Sequence, residues 1–507
     1  MRANRNSHVA ISRFICIVSL ILVGILLSPF SQCLAEKKLV FKNLTEEIGR
    51  GFGSTWNRYA WSMEFDDHLY VGTWSNQTDW PAMFEAIANG ELLDIFSGGE
   101  NPLALIGFIA SEGGEIWRHD GGQNWTRVKK AEPSITGFRK MIKYKGKLYA
   151  GTANEEKGAE LWVKTITPST STGEQWVAVE WPGKSPENNS IRALCVFADP
   201  DNDYEETLYV GTENNEDGGE LWAFYADENG SEWELKEKFE KAEVHSVAEI
   251  AALDGVLYVG TWKFEFDLLG GVPSDTFQLY KSDDGEDFEK VKPEFEGREN
   301  LNNVGVMKLI VYRDRLYLGT VNYIDGFTLL SSATPSVTNS WKVHTTDGFG
   351  NSDNAYFWSA VVVDDILIAG TFNSGISGGV FPVLPMDGRA QILYTKDGDN
   401  FITLVDDGFG VPFTYGIRSM VASDNQLFVA TASNVLIPDF QSSLYDSVQI
   451  EQLLETVFDV LDSSYVQIAP YLLEGLSNLY FPSYDGPFIG TQVWASPTGK
   501  PGKGNSK

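Results

Sequence analysis

Apolar and polar positions alternate in short runs that end at polar or glycine-containing turns. One such run, residues 138–144, leads through the turn Lys145-Gly146-Lys147 to a second run at residues 148–150, which Gly151 and Thr152 follow. Two β-rich runs around a tight turn are typical of a β-hairpin. The pattern therefore predicts an antiparallel pair of strands that ends on a glycine and a threonine.

This hairpin phrase recurs seven times at intervals of about 60 residues, which indicates an array of equivalent units. Its copies lie at residues 69–73, 148–152, 208–212, 257–261, 316–320, 367–371 and 427–431. A third strand follows most copies, and a glycine-rich turn then leads to a fourth. Four antiparallel strands repeated seven times predict an all-β fold, a seven-bladed β-propeller.

The two ends of the chain predict how the propeller closes. Blade seven supplies only three strands, the last of them around Val493 and Trp494, whereas residues 38–41 form a spare strand before blade one. We expect the N-terminal strand to complete the last blade, because pairing removes the open edges that promote aggregation.

Two insertions interrupt the repeat between a second and a third strand, at about residues 75–112 in blade one and 435–489 in blade seven. In the second insertion Leu453, Val457 and Leu461 recur at helical spacing. Because both insertions leave by equivalent loops, we expect a helical cap over one mouth of the propeller.

The first 35 residues predict export. A basic start, an apolar run at residues 14–27 and the small residue Ala35 are typical of a signal peptide. An uncleaved anchor and acylation at Cys33 are the alternatives. No later stretch is long enough to cross a bilayer. We therefore expect a secreted or cell-surface propeller at residues 36–497, without a transmembrane anchor after cleavage, followed by a disordered tail at 498–507.

The formal net charge of the chain is −31. So acidic a protein repels phosphate backbones and anionic lipid surfaces, which excludes nucleic acid as a partner. Outside the predicted signal peptide, Cys195 is the only cysteine, so no intramolecular disulfide can form.

The turns between third and fourth strands share a sequence pattern at residues 120–125, 283–288 and 396–401. An aspartate that caps backbone N–H groups, a glycine at positive φ and an aromatic residue would fold such a turn. The pattern resembles the Asp-box of sialidase-like (BNR-repeat) β-propellers. In that family the Asp-boxes lie far from catalysis, so the resemblance implies an architecture and no activity.

Residues that break the repeat are better candidates for a site than residues that recur in it. Arg139, Arg192 and Arg418 occupy one position of the innermost strands, and Arg58 lies nearby in blade one. Because innermost strands line the axis, we expect these guanidinium groups to converge on a carboxylate or another anion. Sialidase-like enzymes also hold a sugar carboxylate on arginines, but their Arg-Ile-Pro segment is missing here. The alternative is that each arginine pairs with an acid of the next blade.

Other residues extend the candidate site. Aromatic faces beside polar groups suit sugars, although packing between blades explains aromatic residues equally well; the candidates are Tyr59, Tyr356, Trp358 and Tyr415. His245 starts an inner strand and could transfer protons. Acids alternate in one loop as calcium ligands do, at Asp199, Asp201, Asp203 and Glu205. An EF-hand's glycine and closing glutamate are missing, so a solvated hairpin without a cofactor is the alternative.

Three functions remain open from the sequence. The first is a binding or interaction module for a small anionic or carbohydrate ligand, or for a protein partner. The second is an exo-acting glycoside hydrolase or lyase, which two carboxylates near the mouth would favour. The third is a structural protein of the cell envelope.

Overall fold

The computed structural model describes residues 40–78, 109–167, 170, 172–198, 205–226, 230–263, 276–374, 389–411, 414–423, 426–433 and 490–497. These residues form β-strands and three short 3-10 segments, Arg50–Gly53, Arg298–Asn300 and Gly408–Gly410. No helix in this part of the chain is long and apolar enough to cross a membrane. The predicted signal peptide and the C-terminal tail lie outside the described residues.

Thirty strands follow one another along the described ranges. They are β1 (Lys42–Asn43), β2 (Asn57–Phe65), β3 (Leu69–Ser75), β4 (Gln77–Thr78), β5 (Ile109–Ala110), β6 (Glu115–Gly121), β7 (Asn124–Lys130), β8 (Gly137–Tyr144), β9 (Lys147–Ala153), β10 (Leu161–Ile166), β11 (Glu174–Ala178), β12 (Ser190–Ala198), β13 (Glu206–Glu213), β14 (Glu220–Ala226), β15 (Ser231–Lys238), β16 (Ser246–Leu253), β17 (Val256–Trp262), β18 (Leu279–Ser282), β19 (Glu289–Val291), β20 (Gly305–Tyr312), β21 (Arg315–Val321), β22 (Leu329–Ser332), β23 (Lys342–Thr345), β24 (Asn354–Val363), β25 (Ile366–Asn373), β26 (Ile392–Thr395), β27 (Ile402–Val405), β28 (Thr414–Ser423), β29 (Gln426–Ser433) and β30 (Val493–Ala495).

Seven sequence repeats each contribute four strands that pair antiparallel in order. Repeat one uses β2, β3, β6 and β7, and the next five repeats take four consecutive strands each, from β8 to β27. Repeat seven joins β28, β29 and β30 to the N-terminal β1. The second strands are almost fully buried and carry the repeated phrase, as β9 does at Leu148, Tyr149 and Ala150.

The repeats are not separate sheets. The last residues of each second strand also pair with the start of the next first strand, as Trp74 pairs with Gly137 and Glu213 with Ser246. These links join 28 strands into one sheet, and the first and second strands close into an antiparallel barrel. Pairing of Tyr59 with Ala432 completes this ring of 14 strands.

The prediction of a seven-bladed β-propeller with helical insertions is therefore wrong, although the all-β class is correct. Periodicity in a sequence counts repeats and strands, but it contains no information on backbone pairing between repeats. The described residues also contain no α-helix. At the ends of the first insertion, β4 and β5 pair as a small antiparallel sheet; residues 79–108, the second insertion at 434–489 and the expected cap lie outside the described residues.

One irregularity recurs at the same place in every first strand. The register between first and second strands shifts by one residue, which is the signature of a β-bulge. The bulged residues are Trp61, Arg139, Arg192, Ala248, Met307, Trp358 and Arg418. A bulge interrupts the alternation of side chains between the two faces of a strand, so these positions cannot be assigned to a face by counting.

The glycine of the repeated phrase lets neighbouring repeats pack closely. A Cβ atom on Gly151 would lie 2.4 Å from Cγ2 of Ile191 in the next repeat. The following threonine links second and third strands: Thr73 donates its hydroxyl to Asn57 and accepts from the backbone N–H of Glu115. Both residues therefore have a structural role, which agrees with their recurrence in the repeated phrase.

Two of the three predicted Asp-box turns have the capped geometry. Asp284 accepts hydrogen bonds from the N–H groups of Glu286 and Asp287 at 2.9 and 3.1 Å, and Asp397 caps its own turn in the same way. Asp120 instead accepts from the side chains of Arg118 and Thr126. The turn chemistry is thus present in repeats four and six and differs in repeat one.

The N-terminal strand completes repeat seven, but it does so as β1 at residues 42–43 and not at the predicted residues 38–41. Lys42 lies opposite Ala495 and Asn43 opposite Trp494, and the N–H of Leu44 donates to the carbonyl of Val493 at 2.8 Å. Leu44 is buried at 6% exposure within a core that includes Val493 and Ala495.

We expect the substitution Leu44→Ala to lower the free energy of unfolding by about 2–5 kcal/mol, because it leaves a cavity in the core that joins the two ends of the chain. Val40→Ala is the matched control, since Val40 is 75% exposed. Chemical denaturation of both variants tests this. A Leu44→Ala protein as stable as the control would show that the N-terminal segment does not stabilise repeat seven.

Candidate functional site

The links between repeats all lie at one edge of the barrel, where second strands end and first strands begin. The inner surface near this edge contains the residues that break the repeat. Contacts there join repeats that are not neighbours, which is possible only across the inside of a closed ring. We call this region the axial site.

Two of the predicted arginines share one carboxylate. Nη1 of Arg139 lies 2.8 Å from Oε2 of Glu213, and Nη1 of Arg192 lies 3.1 Å from the same oxygen. Arg139 also donates to the hydroxyl of Ser190. Burial alone would raise the pKa of Glu213, but the two guanidinium groups outweigh it and lower the pKa below its ordinary value. Arg139 therefore pairs with an acid of the next repeat, which is the alternative that the sequence left open.

The third arginine has no such partner. Arg418 is 7% exposed, it forms no salt bridge or hydrogen bond within the described residues, and its buried Nε lacks an acceptor. Burial and then the charges of Arg139 and Arg192 lower the pKa of Arg418 to about 9. Repeat seven is not adjacent to repeats two and three, so these charges meet across the ring. A buried charge without a hydrogen-bonding partner is costly and rare in proteins.

Aromatic rings surround the arginines. Each guanidinium lies over the ring of a tryptophan, an arrangement that is favourable for a cation. The pairs are Arg139 over Trp61 at 5.0 Å, Arg192 over Trp262 at 4.1 Å, and Arg418 over Trp358 at 5.2 Å. Tyr59, Tyr356 and Tyr415 belong to the same cluster as Trp358. The structure therefore brings the predicted aromatic residues together with the predicted arginines.

A second charged layer follows directly along the first strands. Nζ of Lys140 lies 2.6 Å from Oε2 of Glu249, and Nζ of Lys308 lies 2.6 Å from Oε1 of the same carboxylate. These residues come from repeats two, four and five, so this contact also crosses the ring. Burial would raise the pKa of Glu249, but the two ammonium groups lower it.

Side chains of both layers retain some accessible surface. The side chain of Lys140 is 24% exposed, that of Lys308 is 19% exposed, and that of Glu213 is 17% exposed. Because they lie inside the ring, this surface borders an internal axial space and not the outer face of the protein. Charged side chains of both layers therefore border this internal space.

The remaining predicted residues lie around this site or outside the described ranges. Arg58 is buried, and its Nε donates to the carbonyl of Asn76 at 3.1 Å. In repeat one, Trp61 occupies the bulge position that all repeats share, and Arg58 lies at a second register shift of the same strand. His245 precedes β16, where its backbone pairs with Asn214 and Trp262. Of the predicted calcium ligands only Glu205 is described, and no metal-binding cluster occurs among the described residues.

Sequence analysis missed both acids and both lysines of the axial site. One signal for Glu213 was available, because its position after the repeated threonine is apolar in the other repeats. The equivalent residues are Trp74, Ala153, Trp262, Val321, Phe372 and Ala432. Glu249, Lys140 and Lys308 had no comparable signal, because they follow the bulge and alternation assigns them to the wrong face.

Comparisons with known proteins place this chain in no family. No protein-family model matches it, and no curated protein matches it in sequence. Among solved structures, Sqt1 from Chaetomium thermophilum is 10% identical with a TM-score of 0.41, over 74% of this chain and 80% of that chain. The α-L-arabinofuranosidase CtGH43 from Clostridium thermocellum ATCC 27405 is 14% identical with a TM-score of 0.28, over 56% of this chain and 93% of that chain. Similarities at this level assign no function.

The shared carboxylate predicts a pH dependence of stability. A folded-state pKa below the ordinary value of 4.5 means that Glu213 stabilises the fold above that pH and loses this contribution as the pH falls through its folded-state pKa. We expect Glu213→Gln to lower the free energy of unfolding at pH 7 by roughly 1–3 kcal/mol. The variant should also lose less stability than the parent between pH 5 and pH 3.

Denaturant unfolding across this pH range measures both effects. Glu232→Gln is the control, because Glu232 is exposed and makes no ion pair with other described residues. If Glu213→Gln loses as much unfolding free energy between pH 5 and pH 3 as Glu232→Gln does, the role of Glu213 is contradicted.

Proposed function

We propose that this chain is a ligand-binding module that holds a small carboxylate on Arg418 in the axial site. Buried guanidinium groups form strong, directional hydrogen bonds with carboxylates. Arg418 makes no hydrogen bond or ion pair with the described residues, whereas Arg139 and Arg192 are already neutralised in part by Glu213. The unpartnered charge of Arg418 is the observation that supports this function most strongly.

The surroundings of Arg418 favour a ligand with an apolar face as well as an acidic group. Trp358 lies under its guanidinium, and Tyr59 and Tyr415 lie beside Trp358 at ring-centroid distances of 5.8 and 6.2 Å. Sugar acids combine a carboxylate with a ring whose C–H groups can pack on aromatic side chains. Uronic and sialic acids are therefore the first ligands to test, and the N-terminal sequence supports a module that acts outside the cytoplasm.

We expect Arg418→Met to weaken binding of glucuronate at least about tenfold, because charge-assisted hydrogen bonds contribute about 1.5–3 kcal/mol. Without ligand, the same variant should be at least as stable as the parent, because it removes an unpaired buried charge. Titration calorimetry and thermal unfolding measure the two effects.

Arg313→Met is the matched control, since Arg313 pairs with Asp365 at the surface. It should bind glucuronate like the parent. Failure of the parent to bind glucuronate, N-acetylneuraminate or acetate, or an Arg418→Met variant that binds them like the parent, would overturn the proposed function.

A second candidate is glycoside hydrolysis, which one pair of acids favours. Glu155 lies in the turn after β9, close enough to Glu213 for the two charges to interact. Burial and the charge of Glu213 raise the pKa of Glu155, whereas the arginines lower that of Glu213. A carboxyl group with a raised pKa beside one with a lowered pKa is the arrangement that glycosidases use.

If this second function is correct, the parent will hydrolyse 4-nitrophenyl glycosides or glucuronides, and Glu155→Gln will lower the rate about a hundredfold or more by removing the proton donor. Glu156→Gln is the control, because Glu156 is the neighbouring acid in the same turn and is exposed like Glu155. No hydrolysis by the parent, or equal rates in the two variants, would exclude this role for Glu155.

A further inference from the structure

The second layer of the axial site holds more hydrogen-bond donors than its one acid can satisfy. An ammonium group has three N–H donors. Lys140 and Lys308 each make a single hydrogen bond within the described residues, both to Glu249. Their side chains border the axial space with 24% and 19% of their surface exposed, and each ammonium group has donors that no described residue accepts.

The two layers lie next to each other. Lys140 follows Arg139 directly in β8, and one residue advances a strand by about 3.3 Å. Burial lowers the pKa of Lys140 to about 8. The charges of Lys308 and Arg418 also lower this pKa, whereas the charge of Glu249 raises it. The positive charges of the two layers are thus close enough to repel each other.

The charge balance of the layers exceeds what one carboxylate can neutralise. Five cationic side chains outnumber the acids near them even when Glu155 is counted with Glu213 and Glu249; the cations are Arg139, Arg192, Arg418, Lys140 and Lys308. A carboxylate on Arg418 would leave positive charge and unused donors in the second layer. A single ligand can satisfy both layers if it has an acidic group for each.

We propose, on the basis of the function proposed above, that the ligand carries two acidic groups, one on Arg418 and one on the ammonium groups of Lys140 and Lys308. Its chemical class is a small dicarboxylate whose carboxylates are separated along the axis. Glu249 holds the two ammonium groups in position. Because Glu213 already pairs with Arg139 and Arg192, Arg418 is the main contact of the ligand in the first layer.

Titration calorimetry with acetate, malonate, succinate and glutarate tests this class directly. The parent should bind the best dicarboxylate at least about tenfold more tightly than acetate. Lys308→Gln should reduce this ratio to about two, the statistical advantage of having two equivalent carboxylates. Lys140→Gln is a second variant of the same layer, in case Lys308→Gln fails to fold by thermal unfolding.

Lys290→Gln is the matched control, because it removes one positive charge from a surface ion pair with Glu243. It should keep the ratio of the parent. If acetate binds through Arg418 but no dicarboxylate binds more tightly, this inference is wrong and the proposed function stands. If no carboxylate binds the parent, the proposed function itself fails.

Inorganic phosphate distinguishes two separated acidic groups from one compact dianion. We expect phosphate to bind less tightly than the best dicarboxylate, because one compact group cannot fill both layers. Phosphate that binds as tightly as that dicarboxylate, with the same loss in Lys308→Gln, would overturn the proposal of separated carboxylates.

Discussion

The bulge in each first strand is the constraint on which the axial site depends. In a regular strand, consecutive residues face opposite sides, so an arginine towards the axis would place the following lysine away from it. The bulge adds one residue to the first strand only, and as a result Arg139 and Lys140 both contribute to the inside of the ring. The same irregularity in six other repeats builds two layers of side chains from one short segment of sequence.

These layers place positive charge at the centre of an acidic protein. The formal net charge of the chain is −31, so this positive charge is concentrated within an otherwise acidic protein. Glu213 and Glu249 neutralise part of the central charge, and three tryptophans cover the guanidinium groups. Arg418 forms no ion pair with an acid among the described residues. A protein selected for stability alone would replace such a residue, which is why a ligand accounts for it better than packing does.

The sequence predicted the repeats well and the connections between them poorly. The recurring phrase predicted the strands and their order. The missing fourth strand of repeat seven predicted that the N-terminal strand pairs near Trp494, which it does at residues 42–43 and not at residues 38–41. It could not show that Glu213 pairs with Ser246 and so joins two repeats into one barrel. Departures from the repeat identified Arg139, Arg192 and Arg418. Glu249 and Lys308 were not predicted, because their partners lie in other repeats and the direction of their side chains depends on a bulge.

A crystal structure of the protein with 4-bromobenzoate would show directly whether Arg418 binds a carboxylate, because this ligand combines a carboxylate, a flat ring and an anomalous scatterer. We expect bromine density among the aromatic residues around Trp358, with the carboxylate hydrogen-bonded to Arg418. Density elsewhere on the protein, together with an Arg418 that remains without an anion at saturating ligand, would contradict it.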